Sequence, residues 1–203
     1  RALWIMGTNP AVSMPDAGRV RAALEACEFL VVSDCAAMTD TTQYADVLLP
    51  ALGWGEKDGT CTNSERCISR QRAFLAAPGE ARADWRAVAD VARRMGYAAH
   101  FDYASGADVF REHAALSAFE NGGTRDFDIG ALAGLDDEAY DNLSPTYWPC
   151  PAGGAPASTP NALFAGQRYF TRNGRAKLVP VQAAGVATVT DDAFPLLLNS
   201  GRG

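Results

Sequence analysis

Three short polar segments carry the residues that could bind a ligand: Gly7-Thr8-Asn9-Pro10, Ser33-Asp34 and Pro50-Ala51. Each follows a short apolar run that is typical of a buried strand. If the three strands are parallel, their carboxyl ends meet at one edge of the sheet, where open α/β sheets bind their ligands. The spacing therefore predicts a crevice of nucleotide size at this edge.

The side chains of these segments suit the parts of a nucleotide. Gly7 would let the backbone approach a phosphate, and the Asn9 amide could bind a phosphate or a base. Asp34 could accept two hydrogen bonds from a sugar or a guanine. Each signal also has an ordinary structural interpretation, since Gly-x-Asn-Pro forms turns and an Asp after a strand often caps a helix.

Several other chemistries are disfavoured by the sequence. It contains neither GxGxxG nor GxxxxGK[ST], and no Ser-His-Asp arrangement. The charged run Glu56-Lys57-Asp58 is interpreted as a solvated turn rather than a catalytic acid-base set. The five cysteines and two histidines lack zinc-site spacing, so we expect this segment to bind no metal. The odd number of cysteines favours a reducing, cytoplasmic setting over a disulfide framework.

An alternation of strands and helices must position the three polar segments. Ala2–Met6 and Phe29–Val32 are predicted strands, joined by an amphipathic helix over Asp16–Cys27. One or two helical turns are expected over Thr39–Tyr44, before a third strand at Val47–Pro50. The apolar runs favour an open parallel sheet with helices on both faces, which is an α/β fold.

The rest of the chain gives weaker signals. We expect an irregular surface excursion over Gly53–Pro78 and a hairpin in which Ala162–Phe170 and Ala176–Val181 flank Asn173-Gly174. The other predicted elements are helices at Asp84–Met95, Ala107–Phe119 and Asp136–Leu143, a linker at Pro149–Pro160, and a final strand at Pro195–Asn199. Residues 1–150 are thus predicted to form the α/β domain, and residues 151–203 the linker, the hairpin and the start of a β-rich domain.

Composition narrows the class of protein. The chain has 203 residues, of which 48% are hydrophobic and 21% charged, as in globular domains. Its formal net charge of −6 argues against a nucleic-acid surface, and no apolar run is long enough to cross a membrane. Because Arg1 directly precedes a strand-like run and the last residues begin another, we expect an internal piece of a longer protein.

The polar segments lie within longer sequence runs that resemble those of a known protein family. ALWIMGTNPAVSMPDA, FLVVSD, TDTTQYADVLLPALGWGEKDGTCTNSER and SRQRAFLAAPGEARADW occur in this order from Ala2 to Trp85. Together with FREHAALSAFENGGTRDFDI and the FPLLLNSGRG end, they resemble the molybdopterin oxidoreductases, which carry two guanine-dinucleotide pterins on one Mo. The closest resemblance within this family is to bacterial assimilatory nitrate reductases.

The resemblance implies which residues contact the cofactor. The nucleotide part of one pterin is contacted in this family at positions that match Gly7, Thr8, Asn9, Ser33, Asp34, Ala51 and Asp84. The final SGR, formed by Ser200, Gly201 and Arg202, resembles a pterin-binding strand end. Ala51 replaces a hydroxyl residue of some relatives, which leaves only its backbone to bind, and Cys67 stands where relatives often have Arg.

The resemblance also implies a function for the parent enzyme. It would reduce nitrate to nitrite by oxygen-atom transfer at Mo, with bis-molybdopterin guanine dinucleotide and a 4Fe-4S cluster that lies outside this segment. Its partners would be molybdopterin guanine dinucleotide, the other domains of the parent chain, and an electron-donor protein or domain. The segment would be the third domain of the large subunit and inactive alone. The alternatives are a formate dehydrogenase-like enzyme and a non-catalytic nucleotide-binding module.

Overall fold

The computed structural model describes residues 1–160, 162–164, 166–182 and 189–198. Contacts between residues divide the chain into two compact units, Arg1–Leu163 and Phe164–Gly203. The domain boundary at residues 150 and 151 stays a prediction. In the part of the chain that is described, no helix combines the length and apolar character that crossing a bilayer requires.

A three-stranded parallel sheet opens the first unit. Its strands are β1 (Ala2–Met6), β2 (Phe29–Asp34) and β3 (Val47–Pro50), and they lie in the order β1-β2-β3. The connection from β1 to β2 contains α1 (Pro10–Ser13) and α2 (Ala17–Glu25), while a 3₁₀ turn at Thr42–Tyr44 precedes β3. The predicted α/β fold with a parallel sheet is confirmed.

Apolar residues of β1, β2 and α2 explain why the crossover helix packs on the parallel sheet. Ile5, Leu30 and Val32 are buried together with Ala11 of α1 and Leu24 of α2. Ile5 and Val32 are direct partners in the sheet, so their side chains lie on the same face. The sequence thus places its apolar residues where the crossover helix covers the strands.

A second, antiparallel sheet corrects the prediction of an irregular excursion over Gly53–Pro78. This segment contains β4 (Gly59–Thr62) and β5 (Cys67–Gln71), which pair with each other. The turn between them is held by Asn63, whose Oδ1 accepts hydrogen bonds from the backbone N–H groups of Glu65 and Cys67, both at 2.9 Å. The third strand, β6 (Thr146–Tyr147), comes from much later in the chain and pairs with β5.

Three helices complete the first unit near their predicted positions. They are α3 (Asp84–Ala92), α4 (Gly106–Ala118) and α5 (Asp137–Asp141), and α3 continues into a π-helical turn over Arg93–Tyr97. Ser105 caps α4 by accepting a hydrogen bond from the Asp108 N–H at 3.4 Å. The hydrogen bond from Arg111 and those from the Ala104 and Ser105 N–H groups lower the pKa of Asp108 to about 2.

The helices pack on the second sheet through a separate apolar cluster. Ile68 of β5, Phe110 of α4 and Tyr140 of α5 are buried with Ile129 and Leu132 from the segment between the last two helices. Arg70 lies over the Tyr140 ring, with its guanidinium carbon 4.2 Å from the ring centroid. This cluster fixes the helices relative to β4 and β5.

Replacing Leu132 by Ala is expected to destabilise the first unit strongly. Leu132 is fully buried in this cluster, so truncation removes apolar contacts and leaves a cavity. Such substitutions commonly cost about 2–5 kcal/mol of unfolding free energy. Urea unfolding followed by circular dichroism measures the loss. Leu116→Ala on α4 is the control, because Leu116 is exposed; equal losses in the two variants would contradict the packing described here.

The second unit corrects the predicted hairpin. Asn173-Gly174 does form a turn, in which Gly174 has φ +68° and accepts a hydrogen bond from the Tyr169 N–H at 2.9 Å. The flanking residues that are described form no strands, and neither do residues 195–198 of the predicted final strand. A two-stranded hairpin is marginal without further strands or a helix to pack against, which local turn residues do not supply.

Candidate functional site at the carboxyl edge of the parallel sheet

The three polar segments lie side by side at one edge of the parallel sheet. Backbone hydrogen bonds join them: the Gly7 N–H donates to Ser33 O at 2.9 Å, and the Ala51 N–H donates to Asp34 O at 3.0 Å. Asp34 is also the sheet partner of Pro50. The topology therefore brings together the residues that the sequence pattern singled out there.

A cavity of about 400 Å³ opens beside two of these residues, Asp34 and Ala51. The Oδ1 atom of Asp34 accepts a hydrogen bond from the Ala36 N–H at 3.0 Å. Its Oδ2 atom has no hydrogen-bond partner among the described residues. The cavity is completed by apolar side chains of β2 and β3 and by Gly53, Glu56 and Pro78. It thus offers a carboxylate oxygen beside a mainly apolar wall.

The first segment presents an open backbone. Gly7 has φ +60°, and no atom lies within 4 Å of the position that a Cβ would occupy there. Thr8 is exposed, and Asn9 precedes α1 with its Oδ1 accepting a hydrogen bond from the Thr41 hydroxyl at 2.7 Å. Within the described part of the chain the Asn9 Nδ2 donates to no protein atom. A ligand acceptor could therefore approach the Asn9 amide, and the open backbone of Gly7 leaves space for the ligand.

Thr41 is a positioning residue that the sequence interpretation missed. It is completely buried, and its Oγ1 also accepts a hydrogen bond from the Ala11 N–H at 3.2 Å. By bridging Asn9 and the start of α1, it fixes which way the Asn9 carboxamide faces. The only available signal was its place in the polar run Thr39–Tyr44, which indicated a helix cap.

Ser33 has a structural contact that competes with the role implied for its side chain. Its hydroxyl accepts a hydrogen bond from the Trp4 indole N–H at 2.8 Å, and the residue is buried. Its backbone oxygen is the acceptor for Gly7. Ser33 therefore ties β1 to β2 and contributes to the edge mainly by holding Gly7 in place.

Asp84 does not line the cavity beside Asp34. It begins α3 and forms an ion pair with Lys57, whose Nζ lies 2.8 Å from its Oδ2. The segment before it reaches the edge, because Arg82 bridges to Ala51 in the manner of a short parallel strand. Ser200, Gly201 and Arg202, the last predicted cofactor contacts, lie outside the described residues.

The run Glu56-Lys57-Asp58, expected to be a solvated turn, is held by specific partners. Glu56 Oε2 accepts a hydrogen bond from the Gly53 N–H at 2.7 Å, and Lys57 pairs with Asp84. Asp58 Oδ1 lies 2.9 Å from Arg70 Nη2. The sequence could not show these pairs, because the partners of Lys57 and Asp58 lie on other elements.

The fold agrees with what comparison with known proteins finds. Residues 1–94 match the family model described as molybdopterin oxidoreductase. The first 94 residues thus belong to the molybdopterin oxidoreductase family, as predicted, and the homology continues along the rest of the chain. More particularly, the chain is 50% identical over 202 residues to a nitrate reductase of Klebsiella oxytoca, covering 100% of this chain and 22% of that protein.

One further relative and one solved structure show how far the similarity extends. An F420-dependent formate dehydrogenase subunit alpha of Methanocaldococcus jannaschii is 36% identical over 200 residues, covering 98% of this chain and 27% of the relative. Among solved structures, acetylene hydratase from Pelobacter acetylenicus matches with a TM-score of 0.54 and 21% identity, covering 70% of this chain and 18% of that one. The solved structure supports the fold alone. The chain spans about a quarter of the length of the curated relatives it matches.

Proposed function

We propose that this chain is part of a cytoplasmic molybdenum oxidoreductase that reduces nitrate to nitrite. In this proposal the carboxyl edge of β1, β2 and β3 binds the guanine nucleotide of one molybdopterin guanine dinucleotide. The observation that carries the proposal is the Asp34 carboxylate beside a cavity of about 400 Å³, since its Oδ2 has no hydrogen-bond partner among the described residues. The similarity to a nitrate reductase along the whole chain supports the choice of substrate.

The residues of this edge fit the nucleotide by their hydrogen-bonding capacity. Guanine has ring and exocyclic N–H groups, which could donate hydrogen bonds to the Asp34 carboxylate. It also has an oxygen, which could accept a hydrogen bond from the Asn9 amide. Gly7 leaves space for a sugar or phosphate near the backbone. Among the described residues no group of three His, Cys, Asp or Glu side chains is arranged to hold a metal ion.

The proposed division of labour assigns the redox chemistry to the cofactor. When bound, the molybdopterin centre supplies oxygen-atom transfer, while this chain binds and orients the nucleotide. Asp84, if it contacts the nucleotide, has only its Oδ1 available while Lys57 holds Oδ2. The remaining domains of the parent chain, the second guanine dinucleotide, a 4Fe-4S cluster and an electron-donor protein or domain belong to the same proposal.

Formate oxidation is the second candidate activity. The observation that favours it is the formate dehydrogenase relative, which matches almost the same stretch of this chain. The parent enzyme separates the two reactions in one pair of assays, with reduced viologen and nitrate, and with oxidised viologen and formate. We expect nitrate to oxidise the reduced viologen and formate not to reduce the oxidised viologen. Reduction of viologen by formate without oxidation by nitrate would make formate the substrate instead.

Cys35 provides a test of the nucleotide edge without any substitution. It is an exposed free thiol that lines the cavity beside Asp34. We expect saturating GDP to slow the alkylation of Cys35 in the 203-residue chain at least about fivefold, because a bound guanosine would cover the cavity wall. Peptide mass spectrometry after a timed pulse of N-ethylmaleimide measures the rate.

Cys61 serves as the internal control of this measurement. It is a partly buried free thiol on β4 that does not line the cavity, so its alkylation rate should be the same with and without GDP. Unchanged alkylation of Cys35 at millimolar GDP would count against nucleotide binding at this edge. Equal slowing at both cysteines would indicate a general effect on the thiols.

A further inference from the structure

A second and larger cavity is lined in part by the segment that precedes α3. Its volume is about 780 Å³, and one wall is a single face of α3 and the residues before it, which carries Arg82, Arg86, Asp90 and Arg93. Residues 103–106, where α4 begins, also line the cavity. Ligand pockets commonly measure about 300–1,000 Å³, so this cavity is large enough for a small organic molecule.

The arginine face has more positive charge than its own carboxylate neutralises. Arg82 and Arg93 share Asp90, at 3.6 and 3.4 Å. Arg93 also lies 3.8 Å from Asp102. Arg86 pairs with no carboxylate in the part of the chain that the structure describes. Its guanidinium instead lies 5.2 Å from the centroid of the Trp85 ring, a contact that orients the guanidinium and leaves its N–H donors available.

The other two carboxylates at the cavity wall have partners elsewhere. Glu56 accepts a hydrogen bond from the Gly53 N–H, and both oxygens of Asp58 lie near the Arg70 guanidinium. These contacts hold the two acidic groups in place, and neither group forms an ion pair with Arg82 or Arg86. Arg70 thus neutralises Asp58, whereas Glu56 keeps its negative charge, and Arg86 is the cation of this wall that pairs with no carboxylate among the described residues.

Aromatic rings form an apolar part of the same cavity. Trp85 and Tyr103 meet edge to face, with their ring centroids 6.5 Å apart. The Tyr103 hydroxyl donates to Glu112, and this hydrogen bond raises the pKa of Tyr103 to about 12, so the ring stays neutral at physiological pH. A ligand would thus meet guanidinium groups and aromatic surface together.

We propose that this cavity binds a small aromatic oxyanion, which is a phosphate or carboxylate attached to a planar ring. The oxyanion would accept hydrogen bonds from Arg86 and Arg82, and the ring would contact Trp85 and Tyr103. Among the lining residues only Glu56 and Ala81 are shared with the cavity beside Asp34. The arginines and aromatic rings of this cavity thus do not line the cavity beside Asp34, and the proposal does not rest on the proposed function.

Titration calorimetry on the 203-residue chain tests this site with phenyl phosphate, inorganic phosphate and benzoate. We expect phenyl phosphate to bind more tightly than inorganic phosphate, since only the former has a ring. Comparison with benzoate shows whether the site prefers phosphate or carboxylate. Arg86→Gln and Arg82→Gln should each weaken binding of the preferred aryl probe about tenfold or more, as expected for lost charge-assisted hydrogen bonds.

Arg94→Gln is the matched control. Arg94 is exposed directly after α3 and donates to the Asp90 backbone oxygen, but it does not line the cavity. Its removal changes the net charge by the same amount, so binding should stay within about twofold of the unmodified chain. Equal weakening in Arg86→Gln and Arg94→Gln, or no binding of either aryl probe at millimolar concentration, would overturn the proposal. Thermal unfolding of each variant confirms that it is folded.

Discussion

Asp34→Asn in the full-length parent enzyme is expected to lower the molybdenum and guanosine content of the purified protein about tenfold or more. The substitution keeps the shape of the side chain and an oxygen for the Ala36 N–H. It removes the negative charge beside the cavity, and a hydrogen bond to a charged group contributes about 1.5–3 kcal/mol. Metal analysis and nucleotide release after acid treatment measure the occupancy directly, without an activity assay.

Asp40→Asn is the control for this substitution. Asp40 lies in the polar stretch that follows Asp34 and is exposed, and the only partner of its side chain among the described residues is Arg21, at 3.6 Å. Such surface pairs contribute little, so cofactor content should match that of the unmodified enzyme. Full molybdenum and guanosine occupancy in Asp34→Asn would show that Asp34 is only a turn residue, and the nucleotide edge would then need a different location.

Arg70→Met is expected to destabilise the first unit. The Arg70 side chain is only 4% exposed and lies 2.9 Å from Asp58 and 2.8 Å from Asp141. It also donates to Gly59 O at 2.8 Å and covers the Tyr140 ring. Burial opposes its charge, but the hydrogen bonds to Asp141 and Asp58 raise the pKa of Arg70 overall.

The expected loss is about 2–3 kcal/mol of unfolding free energy, because several hydrogen bonds to one charged group disappear together. It stays below the cost of breaking a fully buried pair, since Asp58 and Asp141 are half-exposed and water can solvate them in the variant. Urea unfolding midpoints measure the change. Arg19→Met, at an exposed position of α2, should shift the midpoint little; a similar shift in both variants would refute the role assigned to Arg70.

The parallel layer could be predicted from sequence because its signals are local. Each strand is a short apolar run followed by turn residues, and Asp16 marks the start of α2 by accepting a hydrogen bond from the Arg19 N–H. The antiparallel sheet could not be predicted in this way. β4 consists of Gly, Thr and Cys, so it is not an apolar run. β6, which pairs with β5, comes from far along the chain. No local pattern encodes such a pairing.

The candidate site likewise has features that local sequence predicts and features that depend on contacts between distant residues. The convergence of Gly7, Asp34 and Ala51 follows from the parallel direction of the three strands, which the alternation of elements already implied. The partners that orient the side chains did not follow, because Thr41 reaches Asn9 across 32 residues and Lys57 reaches Asp84 across 27. Such contacts depend on how the loops pack once the sheet has formed. Only the structure therefore shows which side-chain atoms remain able to bind a ligand.

The different chain spans of the two sheets have a consequence for biosynthesis. All strands of the parallel sheet lie within residues 2–50, whereas the antiparallel sheet needs Thr146–Tyr147. A chain made from its N-terminus closes the shorter loops first, and these closures cost less entropy than longer ones. The edge with Gly7, Asp34 and Ala51 can therefore assemble on the ribosome before the residues that complete the second sheet have been synthesised.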